Sequence, residues 1–312
     1  MDSFVVAARV VVPMALTMGL GVLLRITGLT DRDTMRKVDV IIYNIFSSFL
    51  IFYNVYYTDF ADISHPGALV YSLVGLVLMF LAALFLPRIW VKERATAASF
   101  GQGIFRTNFV IFGAAVATSI YGAGNIGVVL MMGAVTVPPI VAMCVAILEV
   151  GRQGSSLNVK SLTVSLVKNP IIIGTVLGLA ANFLNIRVPD LIMGVVEDVA
   201  NLTTPMSFLS IGVSLQFGKL SKQKILGIAL LIRLLLMPLV LVSGAILLGF
   251  RGIELCALMV LFAGPAAVNS YPTAVAMGAD GDFAGQFVAV STICSLFTIF
   301  LWTLALNSLG ML

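Results

Sequence analysis

Two stretches of the chain carry polar residues deep inside otherwise apolar runs. One reads FGQGIFRTNFVIFGAAVA (100–117) and holds Arg106, Thr107 and Asn108; the other reads LFAGPAAVNSYPTAVAMGAD (261–280) and holds Asn269, Ser270 and Tyr271. Guanidinium, amide and hydroxyl groups recognise a ligand by hydrogen bonding, and none in this set is an activated nucleophile. In the second stretch Pro265 and Pro272 each lack an amide hydrogen and clash with the preceding turn, which predicts an opened helix around Asn269 and Ser270. In the first, Gly101, Gly103 and Gly113 allow an interruption near Asn108 without a proline. Helix beginnings near Asn108 and Ser270 would turn unpaired N–H donors and partial positive charge toward one cavity from opposite sides. Arg106 would add a full charge able to take a carboxylate in two hydrogen bonds. The chemistry predicted is reversible binding of an anion. The plainer alternatives are a proline-kinked helix satisfied by its neighbours and an arginine marking a membrane edge.

Further polar residues sit at corresponding depths of two other runs: Asn44 with Ser48, and Asn201 with Thr203 and Thr204. A buried amide is costly unless paired, so Asn44, Ser48 and Asn201 are expected to face protein or a polar cavity. Thr203 and Thr204 suit helix-to-helix hydrogen bonds. Arg233 is read as an arginine whose head reaches the membrane edge. The acids Asp39, Glu149, Glu197, Asp198, Asp280 and Asp282 all fall near predicted edges, so no carboxylate is expected at mid-depth. Cys144, Cys256 and Cys294 lie in apolar runs without metal-ligand spacing, and His65, the single histidine, is in a loop. No phosphate-binding loop, HExxH or GxSxG pattern is present. Neither a cofactor nor a metal site is implied.

The elements that must position these residues follow from composition. Of 312 residues 60% are hydrophobic and 10% charged, with a mean hydropathy of +1.10, whereas soluble domains carry about 25% charged residues. The apolar residues come in blocks of about 20, the length a helix needs to cross a hydrocarbon layer about 30 Å thick. This excludes a water-soluble enzyme and predicts an all-α membrane protein. Ten blocks stand out, at 4–26, 38–58, 67–87, 97–120, 125–149, 169–186, 193–217, 225–249, 253–278 and 284–308. The first is too long for a signal-peptide core and lacks a basic leader, so it reads as a span. The net charge of +4 does not indicate nucleic acid, because the basic residues form short clusters between blocks.

Those clusters orient the chain. Thirteen Lys and Arg fall in alternate loops (25–37, 88–94, 152–168 and 219–224), against Arg9, Arg187 and Arg251 on the other side, where Asp59 and Asp62 make one loop acidic. The positive-inside rule then puts both termini outside the cytoplasm and the long connection inside. Sliding the sequence by 157 residues aligns Pro13 with Pro170, Gly21 with Gly178 and Asn44 with Asn201. The organisation predicted is a first five-helix repeat (1–150), a cytoplasmic linker (151–168) and a second repeat (169–312). With five spans each, the second repeat enters the membrane inverted, an architecture that puts a binding site near the midplane where interrupted helices meet.

On KNPIIIGTVLGLAANFLNI (168–186), FRTNFVIFGAAVA (105–117), GPAAVNSYPTAVAMGAD (264–280) and STICSLFTIFLWTLAL (291–306), the sequence resembles the auxin efflux carrier family, the permeases that include plant PIN exporters and bacterial malonate or malate permeases. The resemblance covers essentially the whole chain. It implies a scaffold of spans 1, 2, 6 and 7, a transport domain of spans 3–5 and 8–10 in which spans 4 and 9 cross, a homodimer through the scaffold, and elevator-type alternating access. Asn108 and the 265–272 segment fall on the family's crossover positions, although the family often has a proline in the fourth-span crossover and this chain has none. The expectation is a secondary or facilitative carrier of a small organic anion, a carboxylate, in the cell membrane, with H+ or Na+ as possible coupling ion. A sodium-coupled symporter of the bile-acid type is the second reading. A non-transporting receptor or scaffold is a reading of a different class.

Overall fold

Each apolar block becomes helix, and the ends are set by polar caps and prolines. A computed structural model describes residues 2–58, 65–122, 127–153, 159–215 and 223–312. Asp59, Asp62, Lys219, Lys222 and residues 154–158 of the predicted linker lie outside the described residues. The first half contains α1 (Asp2–Ile26), α2 (Arg32–Tyr56), α3 (Pro66–Phe85), α4 (Arg94–Phe105), α5 (Phe109–Tyr121) and α6 (Gly127–Gln153). After a short α7 (Val159–Val167) come α8 (Pro170–Phe183), α9 (Asp190–Ser214), α10 (Lys224–Leu247), α11 (Gly252–Ala263), α12 (Ser270–Ala276) and α13 (Gly281–Ser308).

The caps explain where the helices begin. Asp31 accepts the Thr34 N–H at 2.7 Å, which starts α2 at Arg32 rather than at the apolar boundary near 38. Asn169 accepts from the Ile171 N–H with Pro170 behind it, and Asp280 accepts from the Phe283 N–H. The wide turns Ile42–Phe46 in α2 and Ile232–Leu236 in α10 are π-helical, a distortion that re-aims the side chains on it.

Two helix pairs pack most extensively, α1 on α9 and α8 on α2. Both contacts are backbone on backbone. A methyl group on Gly21 would strike the Leu209 carbonyl, and one on Gly212 the Met18 carbonyl. On the other pair, a Cβ at Gly174 would lie 2.5 Å from the Ser48 carbonyl, and one at Gly178 3.0 Å from that of Phe52. Small residues permit such close helix approach where no water drives association. Around this, α11 is the innermost helix, with every residue from Leu255 to Ala263 fully buried among α5, α10 and α13.

The outer surface is apolar. Leu16, Leu23, Val74, Leu191, Val240 and Leu301 are all exposed, where a soluble monomer keeps such patches small. Among the described residues, five helices are long and apolar enough to cross a membrane, within Arg32–Tyr56, Pro66–Trp90, Gly127–Arg152, Lys224–Leu247 and Gly281–Ser308. This is a multi-pass membrane protein. Two further apolar blocks fall short because each is split into two helices.

Candidate functional site

The two splits meet. α4 ends at Phe105, Arg106 is extended (φ −77°, ψ 112°), and α5 begins at Phe109. α11 ends at Ala263 and α12 begins at Ser270. Between them Thr107 and Ala266 form an antiparallel bridge, in which the Asn108 N–H donates to the Pro265 carbonyl at 2.9 Å and the Ala267 N–H to the Arg106 carbonyl at 3.2 Å. The Ala266 N–H reaches Ser291 Oγ at 3.3 Å. Groups that a broken helix would leave bare in lipid are thus paired inside protein. Gly264 is required by the close approach: a Cβ there would lie 2.6 Å from the Val260 carbonyl and 3.1 Å from Thr107 Oγ1.

Behind the bridge lies Arg233, on the π-helical turn of α10. Its side chain is fully buried, with Nε donating to the Gly264 carbonyl at 2.9 Å and Nη1 to the Ile104 carbonyl at 3.3 Å. These are carbonyls at the C-terminal ends of α11 and α4, where the helix dipole is negative and a cation is favoured. The expectation that Arg233 reaches the membrane edge is corrected: its guanidinium ties both broken helices together.

Arg106 is the opposite case. It is 3% exposed, and its only side-chain hydrogen bond among the described residues is Nη1 to Thr273 Oγ1 at 3.2 Å. No carboxylate among the described residues forms an ion pair with it. Around it Thr107 and Asn108 are 7% and 8% exposed, Asn269 7% and Ser270 2%. Thr107 Oγ1, Asn108 Nδ2, Ser270 Oγ and both amide atoms of Gln102 are buried with no hydrogen-bond partner. Asn108 and Asn269 hold the N-cap positions of α5 and α12, yet neither side chain caps its helix, although asparagine is among the best caps. A cation and several unspent donors therefore share one enclosed region.

The comparison with known proteins decides the family. The sequence matches the Membrane transport protein family, the auxin efflux carriers, over residues 6–303. The chain belongs to this family. No curated protein sequence matches it. Members of this family are membrane transporters, and the chain fits that class.

Several residues of the carrier lie elsewhere than their sequence positions suggest. Asn44 and Asn201 are exposed at the surface of α2 and α9. Asn44 needs no interhelical partner, because its Nδ2 donates to the Val40 carbonyl one turn back at 2.7 Å. Ser48 Oγ likewise donates to the Asn44 carbonyl at 3.0 Å. Gly113 is not a break: it lies inside α5, where a Cβ would stand 2.8 Å from Val129 Cγ1. Pro272 does not break a helix either, since it sits in the first turn of α12 where its missing N–H is not needed. The interruption belongs to Gly264 and Pro265. The Ser270 and Tyr271 N–H groups are already bonded to the Ala267 and Val268 carbonyls at 3.0 and 3.3 Å, so the two-turn α12 presents no free amides there. Tyr271 turns away instead and donates to Ser214 Oγ on α9 at 2.6 Å. Gln102, one turn before Arg106, is a site residue missed in the sequence. Its isolation within an apolar glycine-rich run was the available signal.

Proposed function

We propose that the carrier is a secondary or facilitative transporter of a small organic anion, a carboxylate, bound where the fourth and ninth spans cross. The observation that carries this is Arg106, a buried guanidinium with no counter-anion among the described residues, beside four residues with unpaired polar groups. Leaving a charge buried and unpaired is costly, and a bound carboxylate removes that cost with two charge-assisted hydrogen bonds. The Asn108, Thr107, Ser270 and Gln102 groups would complete its shell, with Asn269 beside them.

The same reading takes the chain as ten spans in two inverted five-span repeats, inserted in the cell membrane with both termini outside the cytoplasm. The glycine contacts support it. Gly21 and Gly178 are related by the 157-residue offset, and one sits in the α1–α9 contact while the other sits in the α8–α2 contact. Repeat-equivalent residues thus make equivalent contacts across the halves. This four-helix unit would be the scaffold, dimerising through its apolar outer face, and the crossover would ride in the other helices in an elevator movement.

The test is uptake of radiolabelled mono- and dicarboxylates by proteoliposomes holding the purified carrier. Asn108→Ala and Asn269→Ala should each reduce uptake of the active anion at least about tenfold, the loss of roughly 1.4 kcal/mol of recognition. Unchanged uptake by both variants would remove the site from the crossover. Uptake that requires sodium would favour the symporter reading, in which unpaired Thr107, Gln102 and Ser270 oxygens serve as hard ligands.

A further inference from the structure

Asp39 lies near a predicted membrane edge, yet it does not face water. Its side chain is fully buried in α2, and neither carboxyl oxygen has a hydrogen bond of good geometry. The helices packed against this part of α2 are α9 and α12. Facing the carboxyl are the Ser210 hydroxyl of α9, itself buried and without a partner, and the Tyr271 hydroxyl of α12. Arg36, one turn back on α2 and exposed, is the cation whose charge reaches it. The charged residues of α9 are Asp190, Glu197 and Asp198, three or more turns from Ser210, and α12 has no charged residue. Nothing among the described residues neutralises this group by direct contact.

A path leads to it. A cavity of about 280 Å³ is lined by Arg32, Arg36, Ser214, Tyr271 and Asp282, with Val275 beside them. Its floor is the Tyr271–Ser214 hydrogen bond, and Asp39 stands behind Tyr271. Tyr271 belongs to the crossover, whereas Asp39, Ser210 and Ser214 belong to α2 and α9. A shift of the crossover relative to these two helices would separate Tyr271 from Ser214 and draw the Tyr271 hydroxyl away from the carboxyl.

We propose that Asp39 is a proton-binding site whose occupancy is coupled to movement of the crossover. A proton from water in the cavity forms an O–H on one Asp39 oxygen and the hydronium donor returns to water. The buried acid is then neutral and its hydroxyl donates to Ser210 or Tyr271. Withdrawal of Tyr271 lets water reach the acid, which releases the proton to it and becomes a carboxylate again. Coupling one proton to one monocarboxylate makes the transported pair electroneutral. This transport step rests on the reading of the carrier as an anion transporter, but the proton site itself does not.

Infrared difference spectroscopy of the full-length carrier in liposomes tests the site without any substrate. A carboxylic acid C=O band should disappear on raising the pH. It should be absent from Asp39→Asn, and it should shift in Ser210→Ala, which removes only a facing hydroxyl. A band that persists unchanged in Asp39→Asn, or the lack of any titrating band in the wild-type protein, overturns the proposal. So does a carboxylate band that responds to sodium and not to pH, which would make the site a cation site. In transport, a one-unit pH gradient can support about tenfold accumulation per proton. Wild-type carrier should respond to an imposed gradient, and Asp39→Asn should keep counterflow exchange of the same anion while losing that response, with partial recovery in Asp39→Glu. Equal stimulation of both proteins overturns the coupling. Absence of anion transport in the wild type, with the infrared band intact, would count against the anion reading alone.

Discussion

Asn108 donates its backbone N–H to the Pro265 carbonyl at 2.9 Å, and the two stand 157 positions apart (265 − 108), the offset that also relates Gly21 to Gly178. The bond joins positions that the proposed repeat makes equivalent, yet the two ends are not chemically alike. At 265 only the carbonyl is used, so a residue without an N–H is tolerated. At 108 the N–H itself is the donor, so proline is not. The bridge thus accounts for the absence of proline at 108. Asn108→Pro should remove the bond and leave the Pro265 carbonyl buried and unpaired, costing about 1–3 kcal/mol. Pro265→Ala keeps the carbonyl and should cost less. Thermal unfolding of both variants in detergent checks the order, and a larger loss for Pro265→Ala would contradict it.

The glycine contacts predict a second contrast, in stability alone. Gly212→Ala would drive a methyl group into the Met18 carbonyl, and Gly174→Ala would put one 2.5 Å from the Ser48 carbonyl. Overpacking of this kind costs about 1–3 kcal/mol. Gly19, on the same helix as Gly21, has nothing within 4 Å of its would-be Cβ. Gly19→Ala should therefore be neutral or stabilising by up to about 1 kcal/mol, the ordinary helix preference for alanine. Unfolding temperatures of the three variants measure the difference.

Much of this arrangement was legible in the residues. Apart from the start of α2, block boundaries lay within a few residues of the helix ends, because apolar length and caps such as Asn169 and Asp280 act locally. The break at Pro265 was legible for the same reason. What the sequence concealed is rotation about a helix axis. Asp39 and Arg233 lie close to span ends, a position that suits a side chain reaching water, and both turn inward instead. Asn44 and Asn201 lie deep and turn outward. Distance along a span sets depth, but the partner surface sets facing, and that surface comes from helices far away in sequence. The π-helical turns at Ile42–Phe46 and Ile232–Leu236 shift the facing further, and no residue pattern announces them.

Selectivity for charge should reside in Arg106. Among the described residues its Nη1 bond to Thr273 Oγ1 is a single hydrogen bond for a group with five donors. Arg106→Gln keeps a donor and removes the charge. Hydrogen bonds to charged groups contribute about 1.5–3 kcal/mol, so the variant should bind carboxylates roughly ten- to hundredfold more weakly. Neutral amide analogues of the same shape should be affected much less. Competition of each analogue against labelled substrate separates the two, and equal losses would contradict the role given to the charge.

Arg233 supplies the counterpart, because it is as deeply buried as Arg106 but its Nε and Nη1 hold the Gly264 and Ile104 carbonyls. Removing Arg106 relieves a buried unpaired charge, whereas removing Arg233 strips partners from the Gly264 and Ile104 carbonyls at the ends of two helices. A lysine cannot span both, since its donors radiate from one nitrogen while the guanidinium holds Nε and Nη1 apart in a rigid fork. Arg233→Lys should thus lose about 1–3 kcal/mol of stability through at least one unpaired carbonyl, with the unfolding temperature falling by several degrees. Arg106→Gln should leave the unfolding temperature unchanged or raise it. The two guanidiniums are then told apart by opposite readouts: stability for the one that closes the crossover from behind, and ligand discrimination for the one that faces into it. A destabilised Arg106→Gln alongside an unaffected Arg233→Lys would reverse the assignment.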